Sequence, residues 1–229
     1  RINTTKVNVV TIEDPVEYQI AGVNQVQVNP TAGLTFASGL RSFLRQDPNV
    51  IMVGEVRDEE TAGLAINTAL TGHLVLSTIH TNDAATTLPR LIDLKIEPYL
   101  IASTVNIAIA QRLVRKICEA CKQELIITPL ELKNLTDVVS KDILGKQTTF
   151  YKGVGCDACN NTGYSGRVCV NEVLVVDDAI RKAIHQKATA AQIKEEAKKQ
   201  RMTYMVEDGF LKAKAGITTI EEILRTLHD

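Results

Sequence analysis

Three short apolar runs mark the N-terminal part of the chain, at residues 7–12, 50–53 and 74–79. They are rich in β-branched residues and too short for helices, so they predict buried strands. Between the second and third runs, apolar residues recur at helical spacing over residues 62–70, and Asp58 is placed to cap the start of that helix. This order of strand, helix and strand predicts a right-handed parallel crossover in an α/β sheet.

Further helices are predicted along the chain. Residues 35–45 carry apolar side chains at helical spacing and place Arg41 and Arg45 one turn apart, so the two arginines are expected to point the same way. Another helical run begins at Pro98. Three or four short helices are expected after Asp177. Their boundaries are marked by two capping-box patterns and one helix stop, at Thr189, Thr218 and Gly216.

Polar residues gather at the ends of the predicted strands. The clusters are residues 13–17 (EDPVE), 54–58 (GEVRD), 71–73 (TGH) and 80–82 (HTN). Ligands of open parallel sheets bind outside the carboxyl ends of the strands, so chemistry is expected there. Carboxylates, histidines and arginines together suit phosphoryl transfer. That reaction needs a carboxylate near Mg²⁺, a group that orients or deprotonates water, and cations that spread the charge of the phosphoryl group.

The combination resembles one family, the hexameric ATPases of type II secretion and type IV pilus assembly. Residues 12–17 (IEDPVE) look like the aspartate box of that family, residues 44–58 like its Walker B segment, and residues 71–82 (TGHLVLSTIHTN) like its histidine box. The resemblance covers nearly the whole chain. It implies an α/β fold with a partial, parallel-sheet RecA-like P-loop NTPase core, a tetracysteine zinc loop and a helical C-terminal lobe.

The same resemblance implies roles for individual residues. Glu17 would orient or deprotonate the attacking water, and Glu55 would hold Mg²⁺ through its shell. Arg45 and Arg57 would contact the phosphates of ATP, in part across a subunit boundary, and the two histidines would sense the γ-phosphate. The remaining nucleotide-binding candidates are two acids of the aspartate box, one further arginine and those histidines: Glu13, Asp14, Arg41, His73 and His80.

Two of these assignments have structural alternatives. Glu13 and Asp14 suit a strand end and the turn before Pro15, because proline forces the preceding residue out of the helical region. One histidine can be structural, since His73 and His80 are an odd number of positions apart and would face opposite sides of an ideal strand. The sequence leaves both alternatives open.

One expected motif is missing from the sequence. A Walker A loop, Gly-x-x-x-x-Gly-Lys-Ser/Thr, supplies the backbone cradle and the lysine for the phosphates, and this chain has no match to it. Its single Gly-Lys pair, Gly145-Lys146, is followed by Gln147. In the family that loop lies a short way before the aspartate box. The chain is therefore expected to be a C-terminal piece of an ATPase that binds nucleotide poorly by itself.

A second motif comprises Cys118, Cys121, Cys156 and Cys159, which form two C-x-x-C pairs. Two such pairs predict a closed, tetrahedral, structural Zn²⁺ site. Disulfides and redox chemistry are the alternatives. They are less favoured, because a redox-active C-x-x-C motif needs only one pair of cysteines and this chain has two. Cys169 is expected to be a small buried hydrophobe. Four basic residues close in sequence are expected to offset the negative charge of the site: Arg112, Arg115, Lys116 and Lys122.

Composition narrows the classes of partner. With 45% hydrophobic and 23% charged residues, the chain has the composition of a soluble globular protein. A net charge of -1, 4% aromatic residues and no tryptophan disfavour nucleic-acid binding. The longest apolar-leaning stretch, residues 98–110, is too short to cross a bilayer. Direct membrane insertion is therefore not expected, and any membrane association is expected to come through a partner.

These observations predict three regions: residues 1–113 as the RecA-like ATPase core, residues 114–172 as the zinc-binding region and residues 173–229 as the helical lobe. By the family resemblance, the parent protein would be a cytoplasmic ATPase that uses ATP, Mg²⁺ and structural Zn²⁺. It would form a homo-oligomeric ring, expected to be a hexamer. It would act at the inner membrane through a platform protein and power type II secretion or type IV pilus assembly. Retraction motors are less expected, because that branch lacks the four-cysteine insertion.

Two other classes stay open. The chain can be a non-catalytic module whose zinc site docks on a membrane platform partner, which the missing Walker A loop favours. The polar clusters oppose that class, because a docking module gains nothing from Glu17, Glu55 and two histidines gathered at one sheet edge. A nucleic-acid motor with a zinc ribbon would need a basic or aromatic track, which the sequence lacks.

Overall fold

The computed structural model describes residues 2–135, 138–145 and 148–227. The chain divides into two compact units. Residues 1–108 form the first unit together with residues 175–196, and residues 109–174 form the second together with residues 197–229. The helices of the predicted C-terminal lobe are thus divided between the two units.

The first unit contains a four-stranded parallel sheet in the order β2-β1-β3-β4. Its strands are β1 (Val9–Glu13), β2 (Asn24–Gln27), β3 (Val50–Val53) and β4 (Leu74–Ser77). The predicted α/β class with a parallel sheet is confirmed, as are the three apolar strands. The strand β2 was not predicted, because its polar sequence NQVQ lacks the apolar character that marks a buried strand.

Two helices begin near the carboxyl ends of the strands and help to shape that edge of the parallel sheet. Helix α1 (Phe36–Phe43) begins with a capping box at Thr35, and α2 (Glu59–Leu70) begins at Asp58, whose carboxylate accepts a hydrogen bond from the Thr61 amide at 2.8 Å. The predicted Asp58 cap is confirmed. Because α1 ends at Phe43, Arg45 lies beyond the helix, and the prediction that it follows Arg41 one turn along the same helix is wrong.

The rest of the first unit is helical. It contains α3 (Thr87–Asp93), α4 (Pro98–Thr104) and α7 (Asp178–His185), and α8 (Ala190–Lys199) begins in it. Pro98 opens α4 as predicted, but that helix ends at Thr104 and is followed by strand β5 (Ile107–Ile117). Exposed Ile107 and Ile109 alternate with buried Ala108 and Ala110, as expected for a strand with one covered face.

Two pairs of strands form the framework of the second unit. The long strand β8 (Tyr164–Val175) pairs with β5, and β6 (Lys122–Ile126) pairs antiparallel with β7 (Thr149–Gly153). Between β6 and β7 lie α5 (Pro129–Leu135) and α6 (Lys141–Leu144). The fully buried side chains of this unit include Ile117, Phe150, Leu174 and Phe210, which supply much of its core.

The second unit also contains the last two described helices, α9 (Met205–Lys214) and α10 (Ile220–Leu227). Together with α7 and α8 they make four helices after Asp177 in the described part of the chain, as predicted. Gly216, with φ 69°, ends α9 as predicted. The predicted capping box at Thr218 is wrong by one position, because Thr219 accepts the hydrogen bond from the Glu222 amide at 3.0 Å.

No helix within the described ranges combines the length and the apolar composition that crossing a bilayer requires.

Candidate functional site

Three segments meet at the carboxyl edge of the parallel sheet, just beyond the ends of β1, β3 and β4. The Gly54 amide donates to the Ile12 carbonyl at 2.7 Å, and the Val56 amide donates to the Thr78 carbonyl at 2.9 Å. The Thr78 hydroxyl donates to the Gly54 carbonyl at 2.6 Å. These bonds extend the strand pairing by several residues, so the segment that carries Glu55 is fixed between its two neighbours.

Glycine at position 54 is favoured by this close approach. A Cβ atom there would lie 3.1 Å from the Ile12 carbonyl oxygen and 3.2 Å from the Cα atom of Glu13. Both neighbours are backbone, which cannot rotate away as a flexible side chain does. The small residue lets the polar clusters that follow β1 and β3 lie side by side.

Glu55 is the central group at this edge. Its side chain is only 11% exposed, and its Oε2 atom accepts a hydrogen bond from Arg57 Nε and lies 3.1 Å from His80 Nε2. The partners are much more exposed, at 62% for Arg57 and 83% for His80. A buried carboxylate is therefore held between a guanidinium and an imidazole that both reach solvent. Such a carboxylate can hold a divalent cation or take part in proton transfer during phosphoryl transfer.

The aspartate-box residues 13–17 take different places. The Glu13 carboxylate accepts hydrogen bonds from the Thr11 hydroxyl at 2.6 Å and from the Gln25 amide group at 2.9 Å, so it is held against β1 and β2. Asp14 is exposed and lies before a cis peptide bond to Pro15. Glu17 is exposed, and no side chain in the described part of the chain bonds to its carboxylate.

A cleft of about 320 Å³ opens beside Arg57. Its walls come from the segments that follow β1, β2 and β3 and from the first turns of α1 and α2, and its lining residues include Asp14, Thr35, Asp58 and Thr61. The N-terminal ends of two helices, which carry partial positive charge, therefore face the same space as the Arg57 guanidinium.

The four cysteines of the paired motif come together in the second unit. Their Sγ atoms all lie within 4.8 Å of one another. The Sγ atoms of Cys118 and Cys156 are 3.9 Å apart, those of Cys121 and Cys159 are 3.9 Å apart, and those of Cys156 and Cys159 are 3.7 Å apart. A tetrahedron with Zn–S bonds of about 2.3 Å has edges of about 3.8 Å. The four thiols therefore fit a tetrahedral metal ion.

Backbone amides prepare one of these thiols for metal binding. Burial raises the pKa of Cys159, but the amides of Cys156 and Gly163, each 3.3 Å from its sulfur, outweigh that effect and lower the pKa to about 6. Burial raises the pKa of Cys121 to about 11. Because metals bind the thiolate, a group that is already ionised near neutral pH supplies a first ligand.

Close backbone contacts shape the second pair of cysteines. Gly163 has φ 76°, and a Cβ atom on Gly153 would lie 2.0 Å from the Gly163 carbonyl oxygen. Asn160 and Asn161 also have positive φ values, of 50° and 59°. Side chains larger than glycine at positions 153 and 163 would push the two segments apart, so these glycines keep the cysteine pair in place.

Comparison with known proteins assigns a family. The sequence model described as "Type II/IV secretion system protein" matches residues 1–225. The chain belongs to this family. The match spans both units and includes the polar edge of the sheet and the four cysteines.

Curated relatives within the secretion family are closely similar over the whole chain. The type IV pilus assembly ATPase PilB of Thermus thermophilus is 53% identical over 229 residues, which is 100% of this chain and 25% of that protein. The type II secretion system protein HxcR of Pseudomonas aeruginosa is 44% identical over 229 residues, which is 100% of this chain and 44% of that protein. The chain thus spans less than half the length of these relatives.

Solved structures confirm the fold class of this secretion-family chain. The pilus retraction motor PilT, solved with bound ADP, has a TM-score of 0.68 at 29% identity and covers 98% of this chain and 54% of its own. The ATPase DotB of Legionella pneumophila has a TM-score of 0.63 at 25% identity, with 97% of this chain and 52% of its own covered.

Several predicted site residues of the secretion-family motifs make no contact with the Glu55 side chain in the described part of the chain. His73 precedes β4, at the opposite end of that strand from His80, and its Nδ1 atom is 3.1 Å from the Thr68 carbonyl oxygen. Arg41 pairs with Glu60 at 2.6 Å on the exposed surfaces of α1 and α2. Arg45 is exposed beyond the end of α1. Their roles in nucleotide binding stay predictions.

Two glutamines at the sheet edge were missed by sequence reasoning. Gln25 accepts from the Ile20 amide at 2.6 Å and also donates to the Tyr18 carbonyl at 3.0 Å, and Gln27 accepts from the Val16 amide at 3.3 Å. They hold the loop that carries Glu17 against β2. The signal was the polar–apolar alternation of residues 25–28 (QVQV), which a search for apolar strands passes over.

The segment after His80 is also anchored by residues that carried no sequence signal. Asp83 accepts hydrogen bonds from the Thr86 amide and hydroxyl and pairs with Lys194 of α8 at 2.7 Å. Burial alone would raise the pKa of Asp83, but Lys194 and Thr86 lower it overall. The partner lies far along the chain, so no local pattern predicts this contact.

Two of the basic residues expected to offset the charge of the cysteines pair with carboxylates. Arg115 pairs with Glu222 at 2.6 Å and lies 4.1 Å from the centre of the Tyr164 ring. Lys122 lies 3.7 Å from Glu119 and 4.9 Å from the centre of the Tyr151 ring. Cys169, expected to be buried, is half-buried, and its thiol donates to Asn171 Oδ1 at 2.9 Å.

Proposed function

We propose that the chain is the part of an ATP-hydrolysing motor that carries its aspartate-box, Walker B and histidine-box residues. The observation that carries this proposal is the Glu55 carboxylate, held by Arg57 and His80 at the carboxyl edge of a parallel sheet. Support comes from the relatives, one of which is named a type IV pilus assembly ATPase, and from the fold shared with ADP-bound PilT.

In the proposed site, Glu55 would hold Mg²⁺ through its shell, and that ion would neutralise charge on the phosphates of ATP. Arg57 is available for the same charge, because its guanidinium reaches solvent while its Nε atom contacts Glu55. His80 is placed to exchange its contact with Glu55 for one with the γ-phosphate. Glu17 is the candidate to orient or deprotonate water, since its carboxylate is exposed on the glutamine-held loop.

The other acid of the aspartate box is a weaker candidate for that task. The Glu13 carboxylate already accepts two hydrogen bonds within the sheet, from Thr11 and Gln25. Both bonds are accepted by the Oε1 atom, so that oxygen is less available to hold a catalytic water. The arrangement therefore favours Glu17 as the base and Glu13 as a residue that holds the end of β1.

We propose further that the whole protein forms a ring, expected to be a hexamer, in the cytoplasm. It would reach the inner membrane through a platform protein and power type II secretion or type IV pilus assembly. Support comes from the relatives, which are named as a type IV pilus assembly ATPase and a type II secretion system protein, and from the exposed Arg45, which suits contact with phosphate across a subunit boundary. In such a ring, hydrolysis at one site can shift the neighbouring subunit and perform mechanical work.

A docking module remains the second candidate function. It is favoured by the tetrahedral spacing of the four thiols, which makes a rigid surface element without any part in hydrolysis. Under this alternative the chain would bind a membrane platform protein in a zinc-dependent manner. The Glu55 cluster is then unexplained, because a docking surface has no use for a buried carboxylate held between a guanidinium and an imidazole.

ATP turnover tests the catalytic proposal. The whole protein is expected to hydrolyse ATP, while the 229-residue chain should be slower by about 100-fold or more, because it lacks the loop that positions the phosphates. Phosphate release at saturating ATP and Mg²⁺ measures both rates. Robust hydrolysis by the 229-residue chain would contradict the need for that loop, and an inactive whole protein would leave the docking module as the better account.

We also propose that the four cysteines hold one structural Zn²⁺. Metal analysis of the reduced, desalted chain should find one zinc per chain, and Cys118→Ser or Cys156→Ser should abolish it. Cys169→Ser is the matched control and should keep the metal, since Cys169 lies outside the cluster. Chelation should lower the melting temperature, because zinc binds the folded state. A melting temperature that is the same with and without zinc would contradict this assignment.

A further inference from the structure

The segment that leads into the first cysteine pair is held from two directions within the second unit. On one side, the Thr218 hydroxyl donates to the Arg115 carbonyl at 2.8 Å, and the Ile117 amide donates to the Ile217 carbonyl at 2.9 Å. On the other side, the Cys118 amide donates to the Gly163 carbonyl at 3.0 Å. The position of Cys118 therefore depends on the residues that immediately precede α10.

A buried carboxylate on α10 completes this contact. The Glu222 side chain is 1% exposed. It accepts three hydrogen bonds from Arg115: from the backbone amide at 3.0 Å, from Nε at 3.0 Å and from Nη2 at 2.6 Å. Arg225 donates two more bonds to the same carboxylate, each at 2.9 Å. Glu222 thus binds both the backbone and the side chain of a residue three positions before Cys118.

The same network reaches the second cysteine pair. The Arg115 guanidinium packs over the Tyr164 ring, and the Tyr164 hydroxyl is 2.9 Å from the hydroxyl of Thr219. Tyr164 directly follows Gly163, whose carbonyl accepts from Cys118 and whose amide donates to the Cys159 sulfur. Both cysteine pairs are therefore connected to the start of α10, although α10 carries no cysteine.

The chemistry of this contact indicates a role in orientation. A buried ion pair offers little stability over a well-packed apolar contact, but its hydrogen bonds fix direction and register. Glu222 is the third residue after the Thr219 cap, where a glutamate ordinarily returns to its own helix end. Here its carboxylate bonds to Arg115 of β5 and to Arg225, and so it holds the last part of that strand against α10.

We infer that Glu222 is a positioning residue of the tetracysteine centre, so that docking of α10 and binding of the metal favour each other. This inference rests on the proposed zinc site. Loss of the Glu222 carboxylate loosens the end of β5, which keeps its bonds to Thr218 and Ile217, and lets the two cysteine pairs drift from tetrahedral spacing. Because such linkage is reciprocal, zinc must also hold α10 in place.

The first test is the zinc affinity of two variants of adjacent glutamates. Glu222→Gln should bind zinc about tenfold more weakly than the parent chain, as for other residues that orient metal ligands. Glu221→Gln, on the exposed side of the same helix, should bind as the parent does. Competition with a chromophoric chelator gives the dissociation constants, under conditions where circular dichroism shows all three proteins folded. A purely structural role would change the folded fraction and leave these constants equal.

A reciprocal measurement on the parent chain covers the case in which Glu222→Gln does not fold. Zinc should slow amide hydrogen exchange in α10 and at Ile117 and Cys118, and it should leave α7, which belongs to the first unit, unchanged. Unchanged exchange in α10 would overturn the inference, and so would equal zinc affinities of the folded parent and Glu222→Gln. A parent chain that binds no zinc would instead overturn the zinc site itself.

Discussion

Replacing Glu55 by glutamine in the whole protein is expected to slow ATP hydrolysis by about two to three orders of magnitude. The carboxylate is the only acidic group that the structure shows in contact with both Arg57 and His80 within the described residues. An amide of the same shape keeps the packing but has no charge with which to hold Mg²⁺. Steady-state phosphate release at saturating ATP and Mg²⁺ measures the change.

A matched control for this variant is Glu97→Gln. Glu97 is exposed at the start of α4 and makes no capping hydrogen bond through its side chain, so its replacement should leave the rate within about twofold. Fluorescent nucleotide binding should show that Glu55→Gln still binds ATP, which separates lost chemistry from lost affinity. Turnover by Glu55→Gln at the parental rate would remove Glu55 from the proposed mechanism.

The Glu222→Gln variant is expected to lower the free energy of unfolding of the second unit by about 3–5 kcal/mol, the usual cost of removing one partner from a buried ion pair. The lower end of that range is favoured, because Arg115 and Arg225 both reach solvent and can be hydrated once the carboxylate is lost. Urea unfolding of the metal-free chain at pH 7, followed by circular dichroism, measures the difference. Glu221→Gln should unfold as the parent does.

The contribution of the Glu222 carboxylate to the free energy of unfolding has a defined pH dependence. Burial acts to raise the pKa of Glu222, but Arg225 and Arg115 outweigh it and lower the pKa to about 2. An unfolded glutamate has a pKa of about 4.3. Because the folded-state pKa is depressed, the stability is fully present above about pH 4.3 and is lost as the pH falls toward 2.

Stability curves of the metal-free parent and of Glu222→Gln should therefore converge below about pH 4. Urea midpoints at a series of pH values between 7 and 3 follow the two proteins through that window. If the difference between them stays constant down to pH 3, ionised Glu222 does not supply the stability assigned to it.

Local pattern was sufficient for the elements whose residues carry their own signal. The strands β1, β3 and β4 are short apolar runs, and α2 has both an N-cap and a helical apolar stripe, so these elements agreed with prediction. The approach of the two cysteine pairs was also predicted from their spacing in the sequence alone. The polar strand β2 and the strand β5 had no such signal, because pairing with neighbours rather than their own composition makes them strands.

Site residues were harder to predict, because a motif states which side chains are present but not which of them touch. The histidine box contains two histidines that look equivalent in sequence. Only the register of β4 beside β3 shows that His80 reaches Glu55, while His73 lies at the other end of the strand. Likewise, Glu13 and Glu17 belong to one motif, yet Gln25 binds the first and leaves the second exposed.

By itself, the sequence determined the family, the α/β class and the two cysteine pairs that come together, because these depend on residue type and short spacing. Tertiary structure alone decided three contacts of the charged side chains. These are Glu55 with His80, Arg41 with Glu60, and Glu222 with Arg115. The physical reason is that each of these contacts joins residues far apart along the chain. Their approach is set by strand register and helix packing, and no local pattern records either of them.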